Sequence, residues 1–373
     1  MRSEDLHVAP VITWWNTNNL WATQKPTGPL IVRFDSDRYY SIMAGEDERS
    51  GGSLLYFGLN TPLPLATNLS MGAERGEYPP QMRFLRMARK ESGVWVDIEK
   101  PFWYDVPLWL ASGMVDSVEI AHNHMDQGGM IDNEAWGRAR NRAQFPSPWG
   151  NGLWTQEIYY RILNCGIRLP PSAGSASGVL PNPVGYNRVY VHTENGLSYD
   201  AWWNGLRAGR SFVTNGPLLR VKADGHWPGY VFKGKDGKTL SIGLEAALDS
   251  RDPIERIEVI KNGLVERTIP ASESVRDHFL GPIRFSESGW FLVRAIANVP
   301  ETFRFASTAP FYVEIGIAPA RISRASAQFF LEWLHERSSL IHLSDPLQEA
   351  EALKYYSEAD RYWQAKIRQS NAN

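Results

Sequence analysis

Acidic, basic and imidazole side chains follow several strand-like segments in the first 130 residues of the chain. They are Glu46, Glu99, Lys100, His122, His124 and Asp126. Carboxylates and imidazoles bind divalent metal ions or transfer protons, and a lysine ammonium can stabilise a developing oxyanion. These residue types therefore predict a metal-assisted or general acid–base site. The alternative is that they are solvated loop residues with arginine partners, which is common for charged runs after strands.

The elements around these residues alternate between strand-like and helix-like patterns. Runs such as Val8–Thr13 and Tyr39–Ala44 are apolar or β-branched, whereas Leu153–Leu163 has helical spacing. This alternation is typical of a mostly parallel sheet, either a barrel or an open sheet. In such sheets the functional residues lie at the carboxyl ends of the strands. We therefore expect Gly45–Arg49 to follow the third strand at the site.

The segment from Val94 to Lys100 extends this prediction. Strand alternation places Trp95, Asp97 and Glu99 on one face, and Lys100 follows at the end of the strand. Two long loops, Leu59–Pro80 and Met125–Asn151, interrupt the pattern, and loops of this length are usually functional or act as lids.

A run of small residues precedes the strand-like segment at Arg188–Val191. Ser172, Ser175 and Ser177 lie in it, between prolines and glycines. Exposed amides in such a loop can bind an anion, and the hydroxyls are candidate nucleophiles, although no local His–Asp arrangement supports nucleophilic attack. The simpler interpretation is a tight loop.

The pattern changes after Gly216-Pro217. Strand candidates follow one another to about residue 315, and Asn262-Gly263 is a strong hairpin signal. From Ala320 onward the pattern is helical. We predict a β/α barrel domain over 1–216, a sandwich-like β domain over 217–318, and a helical extension over 319–373 that packs back onto the body.

Composition limits the classes of function. The 373 residues carry 39 basic and 41 acidic side chains, a net charge of −2, which argues against nucleic-acid binding. The single cysteine, Cys165, excludes an intrachain disulfide. No segment approaches the roughly 20 apolar residues of a membrane span. A small-molecule substrate or ligand is therefore expected, with the oligomeric state left open.

Tryptophan is unusually frequent, with 15 residues against 8 histidines. One hypothesis is a pocket that stacks a saccharide or aryl ligand, and core packing is the alternative for each side chain. Because neighbours on a strand point to opposite faces, at least one of Trp14 and Trp15 should be partly exposed. The candidates for the pocket wall are Trp14, Trp15, Trp95, Trp103 and Trp154.

Several of these segments, taken in order, resemble the PHP-type (polymerase and histidinol phosphatase) metallohydrolases, in particular the carbaryl-hydrolase-like CehA/McbA branch. The resemblance covers roughly residues 5–220, and its most specific part is Leu206–Pro217, Leu-Arg-Ala-Gly-Arg-Ser-Phe-Val-Thr-Asn-Gly-Pro. It implies a distorted β/α barrel that binds up to three divalent metals and hydrolyses esters or phosphoesters, in some members with an added β-rich domain.

The residues of this chain match the family's ligand positions only in part. Glu46 matches the bridging glutamate and Asn123 an asparagine after a later strand, with His124 beside it. Trp14 and Trp15, followed by Asn16, replace a ligand pair, and Lys100 stands in place of a histidine. Gly174–Gly178 replaces a Gly-Ser-Asp-x-His ligand motif, so its Asp and His are missing.

The resemblance therefore implies a reduced or altered metal site. A divalent zinc, manganese or iron ion would be held by Glu46, His124 and His122. Without a metal, Glu46, Glu99 and Lys100 would form a catalytic centre, with Trp14, Trp15, Asn16, Asn123, Ser175 and Ser177 contacting the substrate. The alternative function is a catalytically inactive binding module with a tryptophan-lined pocket.

The start of the chain bears on both the metal site and the compartment. The resemblance predicts that the chain begins one βα unit late, which would account for a missing His-x-His pair. A single free cysteine suits the cytoplasm, whereas a signal segment upstream of Met1 would place the protein outside it.

Overall fold

The computed structural model describes residues 1–16, 18–22, 26–65, 76–270, 279–317 and 320–373. Part of the predicted loop Leu59–Pro80 and the predicted boundary at 318/319 lie outside these residues. The described chain is a mixed α/β protein with several β-sheets. Its α-helices are α1 (Gln81–Ala88), α2 (Val106–Ser112), α3 (Gly150–Asn164), α4 (Tyr199–Arg207), α5 (Arg324–Ser338) and α6 (Pro346–Arg368).

The strands fall into two groups along the chain. The first ten are β1 (Val8–Trp15), β2 (Asn18–Asn19), β3 (Ile31–Arg33), β4 (Tyr39–Arg49), β5 (Gly52–Phe57), β6 (Trp95–Ile98), β7 (Ser117–Ala121), β8 (Met125–Asp126), β9 (Gly129–Met130) and β10 (Pro171–Ala173). The others are β11 (Arg188–Val191), β12 (Ser211–Thr214), β13 (Leu218–Ala223), β14 (Val231–Gly234), β15 (Leu240–Asp249), β16 (Ile254–Lys261), β17 (Leu264–Pro270), β18 (Phe279–Phe285), β19 (Gly289–Ala297), β20 (Phe305–Thr308) and β21 (Phe311–Ile315).

The contacts divide the chain into two compact units. The first consists of Met1–Ser117, Glu134–Ala139 and Ala327–Arg368, and the second of Val118–Asn133, Arg140–Ser326 and Gln369–Asn373. This division does not follow the boundaries predicted at 216/217 and 318/319. In the second unit β12 pairs with β20, which joins residues from both sides of Gly216-Pro217 in one sheet.

The sheet of the first unit differs from the mostly parallel sheet that we expected. β1 and β4 are parallel, but β2 pairs antiparallel with β1, and β3, β4, β5 and β6 are joined by antiparallel pairs. The main cause is that β4 continues through Gly45–Arg49 and turns directly into β5. Such a tight hairpin can join only antiparallel strands, because a parallel pair needs a longer crossover.

The expectation that Gly45–Arg49 follows its strand is therefore wrong. These residues pair with β5 on one edge, and Gly45 and Glu46 also pair with β1 on the other. Backbone pairing on both sides outweighs the low strand propensity of acidic residues, which is only a weak preference.

One face of this sheet belongs to the core of the first unit. Trp14 is buried and stacks on Tyr56, with ring centroids 6.0 Å apart. On the same face the Arg49 guanidinium binds both carboxylate oxygens of Asp47, at 2.6 and 2.9 Å, and lies over the Phe84 ring of α1. Helix α1 thus covers a face in which the charges are paired.

The C-terminal helices pack onto the same unit. The Tyr356 hydroxyl of α6 donates a hydrogen bond to Asp105 at 2.6 Å, and the Arg337 guanidinium of α5 donates to the same carboxylate at 2.8 Å. The indole N–H of Trp363 donates to the carbonyl of Pro107 in α2 at 2.9 Å.

The second unit is rich in β-structure. The predicted hairpin at Asn262-Gly263 is confirmed: these two residues join β16 to β17, both with positive φ (51° and 88°), as a type I′ turn requires. One apolar core contains side chains from the three-stranded sheet β13–β15–β18 and from the larger sheet that includes β16 and β19. In the described part of the chain no helix is long and apolar enough to cross a membrane.

We expect Gly45→Ala to destabilise the first unit. A Cβ at this position would lie 1.7 Å from the Trp14 ring, so the indole would have to leave its place on Tyr56. Displacing a buried aromatic ring should lower the free energy of unfolding by about 2–4 kcal/mol, measured by urea denaturation. Gly28→Ala is the matched control, because a Cβ there has no neighbour within 4 Å. Equal stability of the two variants would contradict this packing.

Candidate active site

The opposite face of β4, β5 and β6 carries four carboxylic acid side chains and one serine, and we call it the carboxylate face. Its residues are Glu46, Glu48, Ser53, Asp97 and Glu99. Glu46 pairs with Leu55, and Leu55 pairs with Asp97, so the period of two places these side chains on one face. The Ser53 hydroxyl donates a hydrogen bond to Glu46 Oε1 at 2.8 Å.

A buried ion pair lies at the end of β6 on this face. The Lys100 ammonium donates a hydrogen bond to Glu99 Oε1, and the Trp103 indole donates to Glu99 Oε2 at 3.2 Å. The Lys100 ammonium also lies 4.5 Å from the centre of the Trp103 ring, within range of a cation–π interaction. Glu99, Lys100 and Trp103 are all buried. Glu46, Glu99 and Lys100 interact electrostatically on this face.

The electrostatics of Glu46 differ from those of a surface carboxylate. Desolvation, together with the negative charges of Glu99 and Glu48, raises its pKa from 4.5 to about 8, although the Ser53 hydrogen bond and the charge of Lys100 oppose the shift. The side chain keeps some accessible surface, so a solute can reach it. At neutral pH Glu46 is therefore mostly protonated and can donate a proton.

Glu48 is the second titratable group of the face, and sequence analysis did not select it. Burial and the charge of Glu99 raise its pKa above the ordinary value, while Lys100 and a hydrogen bond from Trp15 oppose the rise. The Trp15 indole donates that bond to Glu48 Oε2 at 3.0 Å. Alternation over residues 46 to 49 would place Glu48 on the same face as Glu46, but only if these residues belong to a strand, and the sequence predicted that they follow one.

Two partly exposed tryptophans of the first unit contact residues of this site. Trp15 binds Glu48, and Trp136 packs on Trp103, which binds Glu99. Trp15 is 37% exposed, and Trp136, which stacks on Trp103 at 6.1 Å, is 42% exposed. Trp136 has a φ of +57°, an uncommon conformation for a bulky residue and a reason to consider a role in binding. Trp136 was not among the tryptophans predicted from the sequence, although it lies in the long loop Met125–Asn151, which was predicted to be functional.

Burial differs among the tryptophans of the predicted pocket wall. Trp14 is 1% exposed and lies on the core face, so it does not line the carboxylate face. Trp95, Trp103 and Trp154 are also buried, as ordinary core packing predicts. The expectation that at least one of Trp14 and Trp15 is partly exposed is confirmed by Trp15.

Asn16 has a structural position rather than an open binding position. Its φ is +50°, its backbone N–H donates to the carbonyl of Glu46 at 3.0 Å, and its side-chain oxygen accepts from the backbone N–H of Glu48 at 2.7 Å. These bonds fix the end of β1 against β4, so Asn16 holds the two glutamates in register.

The predicted histidines belong to the second unit, whereas Glu46 belongs to the first. His122 is fully buried, its Nδ1 accepts from the backbone N–H of His124 at 3.3 Å, and its Nε2 lies 2.8 Å from the Thr155 hydroxyl. Because Nδ1 accepts, the proton is on Nε2 and neither nitrogen offers a lone pair to a metal. His124 Nδ1 lies 3.1 Å from the carbonyl of Asn133.

The small-residue segment forms a bonded loop in the second unit. The Ser175 hydroxyl donates to the carbonyl of Asn187 at 3.2 Å and accepts from its N–H at 2.8 Å. Asn182 donates to the carbonyl of Asn123 at 3.3 Å. The simpler interpretation, a tight loop, fits Ser175. The Ser177 hydroxyl is buried and has no hydrogen-bond partner within the described ranges.

The donor set does not fit the multinuclear metal centre that the resemblance implies. Among the described residues no three or more His, Cys, Asp or Glu side chains are grouped as a metal would need. Lys100, which stands where the family has a histidine, is an ammonium bound to Glu99 and offers a metal no lone pair. Comparisons with protein-family models, curated proteins and solved structures gave no match.

The raised pKa of Glu46 predicts a specific pH dependence of stability. The folded state holds this proton more tightly than the unfolded state does, so the contribution of Glu46 is fully present below pH 4.5 and is lost as the pH rises towards about 8. Glu46→Gln cannot ionise. Between pH 5 and 7.5 we expect the wild type to lose on the order of 3 kcal/mol of unfolding free energy relative to this variant.

Urea denaturation across this pH range measures the effect. Glu287→Gln is the control, because Glu287 is exposed and its removal should leave the shape of the pH profile unchanged. A constant difference between wild type and Glu46→Gln at every pH would show that Glu46 is an ordinary carboxylate.

Proposed function

We propose that the carboxylate face is the active site of a PHP-like hydrolase, reduced in its metal site, that cleaves an ester or phosphoester bond. The observation that supports it is a carboxyl group, Glu46, kept protonated at neutral pH and interacting electrostatically with an ammonium–carboxylate pair. Pairs of titratable groups whose environments separate their pKa values are typical of acid–base catalysis.

The chemistry of an ester illustrates the proposed roles. Glu48 accepts a proton from the attacking water as its oxygen bonds to the carbonyl carbon, and the Lys100 ammonium stabilises the oxyanion. Glu46 then donates its proton to the leaving alkoxide oxygen as the carbon–oxygen bond breaks. Transfer of the proton from Glu48 to Glu46 restores the starting state. Glu99 acts as a positioning residue, because it holds Lys100 and raises the pKa of Glu46.

The proposed reaction uses no metal in any step. Of the predicted ligands, Glu46 belongs to the first unit and His124 and His122 to the second, and the nitrogens of His122 are engaged in hydrogen bonds. A zinc, manganese or iron ion remains the alternative, and elemental analysis of protein purified without chelators tests it. A stoichiometric metal that is lost in Glu46→Ala would replace the metal-free proposal with the metal-dependent one.

The same proposal extends to the architecture. We infer that the sheet of the first unit derives from a distorted PHP-like barrel, supported by the parallel pair β1–β4 and by Glu46 at the family's bridging position. The shared core of the two sheets in the second unit supports a sandwich-like module.

A second candidate, a non-catalytic module that stacks a saccharide or aryl ligand, rests on a different observation. Trp15 and Trp136 each expose more than a third of their side chains, and the conformation of Trp136 is strained. Partly exposed indoles are suited to stacking on flat apolar faces.

Two leaving groups separate the proposed roles of Glu46 and Lys100. A p-nitrophenolate leaves without a proton, whereas phenolate needs one, so Glu46→Gln should reduce kcat/KM for phenyl acetate about 100-fold and for p-nitrophenyl acetate much less. Lys100→Met should reduce both about equally, since the oxyanion forms in both reactions. Steady-state kinetics measures each loss, with Lys90→Met as the exposed control.

The controls keep this experiment informative. Lys100→Met leaves Glu99 buried without its ammonium, so the double variant Glu99→Gln/Lys100→Met removes both charges and tests activity in a folded protein. If phenyl and p-nitrophenyl acetates and phosphates are not hydrolysed above background, the hydrolase proposal fails. Quenching of tryptophan fluorescence by cellohexaose or maltohexaose, lost in Trp15→Ala or Trp136→Ala, would then support the binding module.

A further inference from the structure

The second unit contains an apolar cavity of about 190 Å³ between the edge strand β11, its neighbour β12 and strand β13 of the smaller sheet. A cavity of about 150 Å³ in another protein core accommodates benzene, so this one has room for a substituted aromatic ring. Its residues lie wholly within the second unit and take no part in the proposed hydrolytic centre.

Aromatic side chains line two sides of this cavity. Tyr190 and Phe212 are paired across β11 and β12 and stack at 4.9 Å, with their planes 8° apart. His192 and Trp227 stack at 4.3 Å. Leu219 and Val221 of β13 add buried aliphatic surface. Such walls favour a flat apolar ligand.

The guanidinium of Arg210 offers the cavity a donor without a protein partner. Its Nε–H is buried and has no hydrogen-bond partner in the described ranges, although Nη1 of Arg210 lies 3.4 Å from Glu194, a largely exposed carboxylate. The backbone N–H of His192 donates to the carbonyl of Arg210, so Arg210 lies on the same face of the strand pair as His192 and Phe212. A buried polar group without a partner is costly and calls for an explanation, and a ligand that accepts from this N–H provides one.

The charges near the cavity favour an anion. Arg210 contributes a guanidinium, and the ammonium of Lys222 lies 4.8 Å from the centre of the Trp227 ring. Burial and the charge of Arg210 lower the pKa of His192, so His192 is neutral at pH 7. The positive charge near the cavity therefore comes from arginine and lysine side chains. Arg220 is partly neutralised by Asp249 at 3.3 Å.

We propose that this cavity binds a small aromatic carboxylate, with its ring between the aromatic walls and its carboxylate on the Arg210 guanidinium. The planar fork of a guanidinium matches the two oxygens of a carboxylate. The ligand need not be a substrate or product of the carboxylate face.

Isothermal titration calorimetry of the full chain at pH 7 tests the site with benzoate as the probe. We expect a Kd between about 10 µM and 1 mM, which is reasonable for a ligand of nine heavy atoms. Benzyl alcohol, which has the ring without the charge, and acetate, which has the charge without the ring, should each bind at least about tenfold more weakly.

Variants locate the binding. Arg210→Met should weaken benzoate binding at least tenfold, while Arg207→Met on the exposed side of α4 should leave it unchanged. If Arg210→Met does not fold, Arg210→Lys serves instead, because it keeps the charge and removes the Nε–H. Absence of benzoate binding at 10 mM, or equal affinity of wild type and the Arg210 variant, would overturn the proposal. Neither outcome depends on whether the carboxylate face is catalytic.

Discussion

The period of two in β4 is the constraint on which the first unit depends. Four consecutive ionisable residues, Glu46 to Arg49, lie in one strand that pairs with β5 along all four and with β1 as far as Glu46. Alternation sends Asp47 and Arg49 to the core face, where a bidentate ion pair neutralises both. It sends the two glutamates to the other face, where the nearest ammonium is already bound to Glu99. A surplus of negative charge follows, and retaining a proton on Glu46 relieves it.

The same register determines the packing around the site. Trp14 and Trp15 are neighbours on β1, so one indole enters the core while the other binds Glu48. Gly45 provides the space for the buried indole, and Asn16 fixes the end of β1 to β4. A shift of one residue would exchange the two faces and bury the surplus charge in the core, so packing and electrostatics favour the same register.

Local patterns in the sequence predicted several elements but not their pairing. The Asn262-Gly263 turn, the helix at Leu153–Leu163 and the helices after Ala320 depend on nearby residues, and they were correctly identified. The direction of the strands and the extension of β4 depend on distant partners, which composition does not reveal. Alternation predicted that Asp97 and Glu99 share a face, but the position of Glu46 beside them depends on the antiparallel pairing of β4, β5 and β6. The contact of Trp136 with Trp103 is likewise a tertiary contact, between loops.

A comparison with the second unit shows why the state of Glu46 points to function. Glu258 in β16 is also buried, but Arg294 binds it at 2.5 Å and Arg256 at 2.8 Å. Although burial alone would raise it, these two arginines hold the pKa of Glu258 below its ordinary value. The chain thus neutralises a buried glutamate with arginines where only stability is required. On the carboxylate face it instead keeps three glutamates with one lysine, an arrangement that costs stability and that acid–base chemistry explains.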